Sequence, residues 1–315
     1  MNAVKSHNGK FAEFKERIGH KKWKRIRNFL FTLPFLIHIF IFSYVPLIGW
    51  LYSVFEYKQG RLWWDVEWVG LKYFIKILGD DKIPGVLLNT LAFSFIGLAT
   101  SFIPPLFAVL LNEFQNQKGK KVIQTITTFP NFIGWIIVFG IAQPFFSATG
   151  VVNDLLKLLG LPVFQFGLIG DKEHVWIFQW FLGLWKSLGW GSILYLAAIS
   201  GIDGELYDAA KVDGANRVQL IRHITFPGLA ATYIVQMVLA ISNLLNSGFE
   251  QYYLFRNPMT ASKIDVLDYY IYQQGIGSGN FSYAVAAGIM KSIVSILLLG
   301  VGNQIAKKLV GHKII

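Results

Sequence analysis

The sequence predicts an all-α integral membrane protein with about six transmembrane helices. Hydrophobic residues make up 54% of the 315 residues and charged residues only 15%, whereas soluble domains average about 25% charged residues. The apolar residues are also grouped, in runs of roughly 20 that match the helix length needed to cross a hydrocarbon core of about 30 Å. Because too few polar residues remain to cover a soluble surface, we exclude a soluble globular domain.

Six apolar runs are the predicted membrane-spanning helices. They cover residues 29–55, 86–111, 122–146, 174–200, 228–245 and 284–306. Several contain proline, which breaks a helix in water but is tolerated in a bundle, because neighbouring helices satisfy the freed backbone groups. The runs define a transmembrane domain at 29–306, which follows a basic segment at 1–28 and precedes a tail at 307–315.

The distribution of Lys and Arg orients these helices. With the N-terminus inside, 18 of these residues fall in the inner segments, which are 1–28, 112–121, 201–225 and 307–315. Only 9 fall in the outer segments, which are 56–85, 147–173 and 247–283. Cytoplasmic loops carry the excess of positive charge, so the sequence predicts a multi-pass protein of a bacterial plasma membrane with both termini in the cytoplasm.

The net charge of +11 is concentrated in segment 1–28, directly before the first run. This placement favours contact with anionic membrane lipid and argues against a nucleic-acid partner. Basic residues in the segment alternate with Phe11, Phe14, Ile18 and Trp23, a pattern typical of an amphipathic helix that lies on the inner leaflet. A basic tail without regular structure is the alternative that the sequence leaves open.

A membrane-embedded enzyme and a secondary carrier or channel are the alternative functions. The chain has no cysteine, and its six histidines never fall at a metal-ligand spacing, so we expect no metal site and no catalytic residue. The six apolar runs contain no Asp, which removes an aspartyl-protease arrangement. A secondary carrier is disfavoured, because the chain shows no internal repeat and no inverted pair of interrupted helices.

The glycine-rich run at 275–279 lacks the Gly-Lys-Ser/Thr of a P-loop and lies in an outer segment. We therefore interpret it as a flexible loop and expect no cofactor on this chain. Any ATP and Mg²⁺ that drive its function are expected on another polypeptide.

The inner segment between the fourth and fifth runs, residues 201–227, has an unusual composition. Its pattern predicts two short helices. Asp203 is a plausible N-cap for the first, and Gly214 can adopt the left-handed conformation that ends it. Pro227 marks the entry to the next span. Two amphipathic helices with the small pair Ala209-Ala210 predict a knob that docks into a groove of a partner.

The residues of this loop resemble the signature loop of ABC importer permeases. That family has Glu-Ala-Ala, three residues, Gly, nine residues and Ile-x-Leu-Pro. Here Asp208-Ala209-Ala210 is followed by Gly214 and then by Ile224-Thr225-Phe226-Pro227 at the same spacing. Asp replaces Glu and Phe replaces Leu, and both changes keep the chemical character. The resemblance implies the type I permease fold and docking on an ATPase subunit. The expected docking residues are Glu205, Leu206, Asp208, Ala209, Ala210, Gly214, Ile224 and Pro227.

Further stretches along the chain are similar to the carbohydrate-importing class of these permeases, and most similar to those for complex oligosaccharides and polysaccharide fragments. They are 68–73, 89–90, 110–113, 185–191, 248–251 and 281–283. The resemblance implies four partners beside the sugar: a homologous second permease, two cytosolic ATPase subunits and an extracellular sugar-binding protein. In such systems, closure of the ATPases moves the coupling helices and switches the pathway between inward and outward access.

Polar and aromatic residues within or beside the spans are candidates to contact a sugar, because buried polar groups that face a ligand give specificity. The candidates are Asn131, Trp185, Lys186, Trp190, Tyr195, Asn243, Asn246, Glu250 and Gln251. Helix packing for the tryptophans and interhelical hydrogen bonds for the asparagines are the alternatives.

Two lysines fall inside the predicted spans. Lys186 lies about 12 residues, roughly 18 Å, into the fourth run, and Lys291 lies in the sixth. A charge at such depth is costly and marks a functional hypothesis. We expect Lys186 to face the aqueous pathway or a cluster of carbonyl groups, near an acid group of the sugar. Snorkelling to the interface or pairing with the second permease is the alternative.

Overall fold

A computed structural model describes residues 20–62 and 65–310. This part of the chain is almost entirely helical, and its only β-type pairing consists of two isolated bridges, Phe55–Trp68 and Ser147–Gly167. Five stretches of the described residues are long and apolar enough to cross a membrane, and a helix pair bent by 107° makes a sixth when it is counted as one span. The five are Lys21–Val54, Ile83–Asn112, Val175–Ser200, Arg217–Ser242 and Phe281–Lys308. The predicted all-α fold with about six spans is confirmed.

The helices are numbered here in chain order. The first half of the chain contains α1 (His20–Ile39), α2 (Lys72–Leu78), α3 (Ile83–Ala99), α4 (Ile103–Asn112), α5 (Gln117–Thr128), α6 (Trp135–Phe146), α7 (Val151–Leu158) and α8 (Gly167–Gly170). The second half contains α9 (Val175–Ser200), α10 (Gly204–Val212), α11 (Arg217–Leu220), α12 (Phe226–Ser242), α13 (Glu250–Phe255), α14 (Ala261–Ile264), α15 (Leu267–Tyr272) and α16 (Phe281–Val310).

The first span is a single helical column that begins at His20. After α1 it continues as a π-helical turn, Phe40–Tyr44, and a 3₁₀ helix, Val45–Val54. Pro46 lies at the start of the 3₁₀ helix, where its missing N–H costs no hydrogen bond. Residues 20–28 belong to this column, and the amphipathic helix expected at 1–28 otherwise falls on residues 1–19, outside the described part. The most apolar part of this column has no buried residue, so lipid or another protein must cover it.

The third span is broken, and the expectation of one continuous helix at 122–146 is wrong. α5 runs into a 3₁₀ turn, Phe129–Phe132, and α6 starts afresh after Gly134 at an angle of 107°. Pro130 lies in the first turn of the 3₁₀ segment, and Gly134 is extended, with φ −63° and ψ 149°. Proline cannot donate the hydrogen bond that would continue α5, and the extended backbone of Gly134 redirects the chain after the 3₁₀ turn.

α9 is the central helix of the domain. Near its middle it meets α5 at backbone distance: a Cβ on Gly189 would lie 2.3 Å from the carbonyl carbon of Thr127. Its outer half packs Phe178 and Leu182 into an apolar core with Phe255 of α13. Its inner half packs Tyr195 into a second core with α4 and α12. The helix therefore links the break in the third span to both ends of the molecule.

The outer segment between the fifth and sixth spans is folded back into the domain. Phe255, Ile264 and Val266 are each at most 1% exposed, although none lies in a membrane-spanning helix. The glycine-rich run at 275–279 was expected to be a flexible loop, and this is wrong in part. Gln273–Gly277 forms a π-helical turn that extends α15, and its buried Gly275 lies so close to α16 that an added Cβ would be 3.1 Å from the Ala284 Cβ.

Candidate functional site

The first helix of the loop at 201–227, α10, has a defined cap at each end. The Asp203 carboxylate accepts a hydrogen bond of 3.0 Å from the backbone N–H of Glu205. At the other end Gly214 has φ +82°, and the N–H of Ala215 donates to the carbonyl of Ala210 at 2.9 Å. This is the Schellman arrangement, which needs a residue with positive φ. Both predicted caps are confirmed.

The second helix of the loop continues directly into the fifth span. Asn216 and Gln219 form a reciprocal capping box at the start of α11. The helix then passes through a π-helical turn, Ile221–Thr225, into α12, with Pro227 in its first turn. The predicted position of Pro227 at the entry to the span is confirmed. A displacement of the loop is therefore carried into the membrane by one continuous helix.

The two helices of the loop are held together by a contact that the sequence did not indicate. The Tyr207 hydroxyl lies 3.0 Å from Oγ1 of Thr225, which is only 1% exposed. The family motif does not include Tyr207. In the structure this residue lies on the face of α10 that contacts the π-helical turn.

The loop presents small and apolar groups to solvent. Leu206 is 54% exposed and Val212 is 88% exposed. A notch of about 320 Å³ lies between the helices, and Ala210, Gly214 and Ile224 help to line it. Of the predicted docking residues, Ala210 and Ile224 are partly buried and the others are exposed, namely Glu205, Leu206, Asp208, Ala209, Gly214 and Pro227.

An open cavity of about 320 Å³ lies between helices of the transmembrane domain, with a mostly apolar lining that includes several uncharged polar groups. We call it the membrane cavity. Among its lining groups, the Trp180 indole N–H donates to Oγ1 of Thr100 at 2.9 Å, and the Gln251 amide donates to Gln179 at 2.8 Å. The full lining is Phe93, Gly97, Thr100, Ser101, Pro104, Gln179, Trp180, Gly183, Leu184, Ser187, Gln251 and Tyr252. None of these side chains carries a charge at neutral pH, so the cavity offers hydroxyl, amide and aromatic groups.

Of the predicted pathway residues, Gln251 lines the membrane cavity and the others are distributed elsewhere. Tyr195 is 5% exposed and packs in the inner core. Trp185 and Trp190 are exposed on α9. The remaining polar candidates lie in two places, Asn131 and Lys186 at the break in the third span, and Asn243, Asn246 and exposed Glu250 around the outer end of α12.

The sequence did not single out Thr100, Ser101, Gln179, Trp180 or Ser187, which lie on the cavity. The available signal was periodicity, because polar or small residues recur on one face of α9 at positions 179, 183 and 187. Such a face inside an apolar helix indicates a polar interior.

Both lysines in the spans have partners within the described residues. The Lys186 ammonium donates to the carbonyl oxygens of Asn131, at 2.8 Å, and Pro130, at 3.3 Å. Lys186 therefore contacts a cluster of carbonyl groups, which is one of the two surroundings expected for it from the sequence. Lys291 forms an ion pair with Asp268 of α15, and both side chains are mostly buried. Asp268 also accepts a hydrogen bond from the N–H of Gly248 at 2.8 Å.

Asp80, outside the spans, ties the outer segments together. Its carboxylate accepts hydrogen bonds from the hydroxyls of Tyr270, at 2.5 Å, and Tyr283, at 2.6 Å, and from the backbone N–H of Lys82, at 3.0 Å. Burial alone would raise the pKa of this carboxyl. The hydrogen bonds outweigh burial and hold the pKa of Asp80 below its usual value.

The membrane-spanning helices, the capped two-helix knob and the uncharged cavity are the features of a membrane transport subunit. The chain belongs to the family of the binding-protein-dependent transport system inner membrane component, whose model matches residues 105–311. Protein LplB of Bacillus subtilis (strain 168) is 37% identical over 302 residues, which are 95% of this chain and 93% of LplB. The polygalacturonan/rhamnogalacturonan transport system permease protein YteP of the same organism is 35% identical over 284 residues, which are 89% and 87% of the two chains.

Solved structures agree with this assignment. A chain of a bacterial ABC transporter involved in the import of the acidic polysaccharide alginate matches with a TM-score of 0.81 and 33% identity, over 91% of this chain and 99% of that chain. A bacterial alginate ABC transporter in complex with an alginate pentasaccharide-bound periplasmic protein matches with a TM-score of 0.82 and 32% identity, over 93% and 99% of the two chains. The resemblance to ABC importer permeases is confirmed, and the chain is a permease subunit of the cell membrane.

Proposed function

We propose that this chain forms half of the translocation pathway of an ATP-driven importer of oligosaccharides. A homologous second permease forms the other half, and an extracellular binding protein delivers the sugar. Two cytosolic ATPase subunits bind ATP and Mg²⁺ and carry out hydrolysis, so this chain is not an enzyme. The capped knob at 201–227, with the family spacing from Asp208 to Pro227, is the observation that carries the proposal.

The knob is suited to transmit motion. α10 follows α9 after only three residues, and α11 continues into α12. A groove in an ATPase that grips the exposed residues of α10 therefore acts on the fourth and fifth spans at once. Open space surrounds Gly214, since a Cβ on it would meet nothing within 4 Å. A partner can therefore approach its backbone closely.

The substrate class follows from the relatives and is supported by the membrane cavity. YteP is a polygalacturonan/rhamnogalacturonan transport system permease, and the solved structures that match belong to ABC transporters for the polysaccharide alginate. Hydroxyl, amide and indole groups, as on Thr100, Gln179 and Trp180, suit the hydroxyls and apolar faces of sugar rings. Because the cavity of this chain is uncharged, we expect it to bind the ring hydroxyls of a sugar and not its acid groups.

The test has two parts, co-purification of the partner subunits and transport by the reconstituted complex. The tagged chain is extracted from its native membrane in mild detergent, and co-purifying proteins are identified by mass spectrometry. We expect a second six-span permease and an ATPase subunit, and we expect the complex in vesicles to import oligosaccharides only with ATP and binding protein. Purification of this chain alone, under conditions that keep a known importer intact, would contradict the proposal.

A further inference from the structure

The buried ion pair of Asp268 and Lys291 does not line the membrane cavity. Lys291 lies about 15 Å from the outer end of α16, and its partner lies in α15. Burying two charges costs free energy that their attraction offsets only in part, and an ionisable residue inside a span indicates a function. The pair therefore requires an explanation beyond the folding of the spans.

The Asp268 carboxylate also holds a turn of the backbone. Its Oδ1 pairs with the Lys291 ammonium, and its Oδ2 accepts a hydrogen bond of 2.8 Å from the N–H of Gly248. Gly248 has φ +74°, a conformation that glycine adopts without strain. One carboxylate therefore joins α15 to α16 and to the turn that follows α12.

This turn leads directly into a wall of the membrane cavity. α13 begins two residues after Gly248, and its Gln251 and Tyr252 line the cavity. The Gln251 amide donates to Gln179 of α9 at 2.8 Å, and the Tyr252 ring packs against Phe93 of α3 with ring centres 4.8 Å apart. The backbone position of Gly248 therefore influences where these two side chains lie.

Aromatic rings of α15 support the same wall. Phe249, the residue after Gly248, stacks on Tyr272 with ring centres 4.7 Å apart and 16° between the ring planes. Tyr253 meets the same Tyr272 ring at 6.0 Å. Among the described residues, the lining of the cavity includes none from α15, so α15 acts on the cavity only through the turn and α13.

We propose that Asp268 is a positioning residue for the sugar pathway. With its charge balanced by Lys291, it fixes the Gly248 turn and thereby sets Gln251 and Tyr252 in the membrane cavity. This inference rests on the proposed function and adds to it a residue that acts on the sugar without touching it. Lys291 fastens the carboxylate, so its own charge is not offered to an acid group of the sugar.

The test separates the hydrogen-bond acceptor from the charge. Two double variants, Asp268→Asn with Lys291→Met and Asp268→Leu with Lys291→Met, both remove the ion pair and leave no unpaired buried charge, which would be strongly destabilising. Only the Asn double variant keeps a side-chain oxygen that can accept from the Gly248 N–H. The two are therefore matched except for this hydrogen bond, and equal melting temperatures in detergent establish that both are folded.

Each variant is assembled into the complete importer in vesicles with ATP. Uptake of oligogalacturonides, alginate oligosaccharides and malto-oligosaccharides is measured against the concentration of binding protein loaded with each sugar. We expect the Asn double variant to keep the maximal rate of the parent. The Leu double variant should lose about two- to tenfold, the effect of one hydrogen bond, because the sugar meets a displaced Gln251. The concentration of loaded binding protein that gives half the maximal rate should be unchanged in both.

Hydrogen–deuterium exchange reports on the turn independently of transport. The backbone amides of residues 248–252 should exchange faster in the Leu double variant alone. A further variant leaves the buried pair intact: Phe249→Ala removes the stack on Tyr272 from an exposed position and should also lower the maximal rate. Its control is Phe166→Ala, at an exposed position of the preceding outer segment, which should not.

Equal maximal rates in the two double variants, or an equal loss in both, would overturn the positioning role. A change confined to the half-saturating concentration of loaded binding protein would assign the turn to docking and overturn it as well. If the parent importer takes up none of the three sugars with ATP and binding protein, the proposed function fails. The exchange comparison then still decides whether Asp268 holds the turn.

Discussion

The ammonium of Lys186 donates a hydrogen bond of 2.8 Å to the backbone carbonyl of Asn131, across the break in the third span. The same ammonium reaches the carbonyl of Pro130 and lies 5.6 Å from the centre of the Trp135 ring. Carbonyl groups at a helix end lack partners within the helix. Lys186 donates to these carbonyl groups from α9, so a charged side chain holds the two sides of the break together.

Replacing Lys186 by methionine should destabilise the protein. The change leaves the Asn131 carbonyl without its Lys186 donor, while the Pro130 carbonyl keeps the hydrogen bond from the N–H of Ile133. The cost is about 1–3 kcal/mol, which should lower the detergent melting temperature and the uptake of every substrate alike.

The control is Ser200→Ala, because the exposed Ser200 hydroxyl donates to the carbonyl of Leu196 in its own helix and lies away from the membrane cavity. Selective loss of acidic sugars, with stability unchanged, would show instead that Lys186 binds substrate. Unchanged uptake of every substrate would exclude both roles.

Gly189 should tolerate no side chain. A Cβ at this position would lie 2.3 Å from the Thr127 carbonyl carbon and 2.4 Å from the Thr128 nitrogen, both rigid backbone atoms. Gly189→Ala must separate α9 from α5, so we expect a loss of about 1–3 kcal/mol or more and a lower yield of folded protein by size-exclusion chromatography. The control is Gly191→Ala, two residues further along the same helix. A Cβ at Gly191 would lie 3.6 Å from the Pro104 side chain, an ordinary contact, so this variant should fold normally. Equal yields from both variants would contradict the close contact.

The number of spans and the caps of the inner loop could be predicted from sequence, because each depends on local chemistry. A run of roughly 20 apolar residues has one stable environment. Asp203 and Gly214 are residue types whose preferences for a helix start and a helix end hold in nearly any context. The same reasoning placed Pro227 at the entry to the fifth span.

The break in the third span and the partners of the lysines could not be predicted in this way. Pro130 and Gly134 are compatible with a kinked or a continuous helix, and packing against α9 decides between them. Asp268 is far from Lys291 along the chain and lies in a segment outside the spans, so hydropathy gives no reason to bring them together. The membrane cavity likewise combines α3, α9 and α13, which are distant in sequence.

Gly214→Ile should uncouple ATP hydrolysis from transport and leave the spans folded. The residue has φ +82°, a conformation that costs a residue with a Cβ about 1–2 kcal/mol, and a β-branched side chain more. Since 1–2 kcal/mol corresponds to a factor of about 5–30 in an equilibrium, we expect the amount of sugar imported per ATP hydrolysed by the reconstituted importer to fall by about that factor.

The matched control for this variant is Gly204→Ala. Gly204 lies at the other end of α10, has open space where a Cβ would lie and does not have a positive φ. It should retain coupling. Normal uptake by Gly214→Ile would count against a docking role for this turn.

Asp80 should make the stability of the protein depend on acid pH. Its pKa in the folded state is lowered, because the hydrogen bonds from Tyr270, Tyr283 and the Lys82 N–H outweigh the opposing effect of burial. A lowered pKa contributes stability above the ordinary value of 3.8, and this contribution is lost as the pH falls through the folded-state pKa. Thermal unfolding in detergent should therefore show a melting temperature that falls below about pH 4.

Asp80→Asn should flatten this acid limb and lower the melting temperature at neutral pH, since a neutral amide is a weaker acceptor for two tyrosine hydroxyls. Asp81→Asn, at the exposed neighbouring position, should leave both quantities unchanged. Were the two variants to show the same pH profile as the parent protein, the network around Asp80 could not be the source of the acid limb.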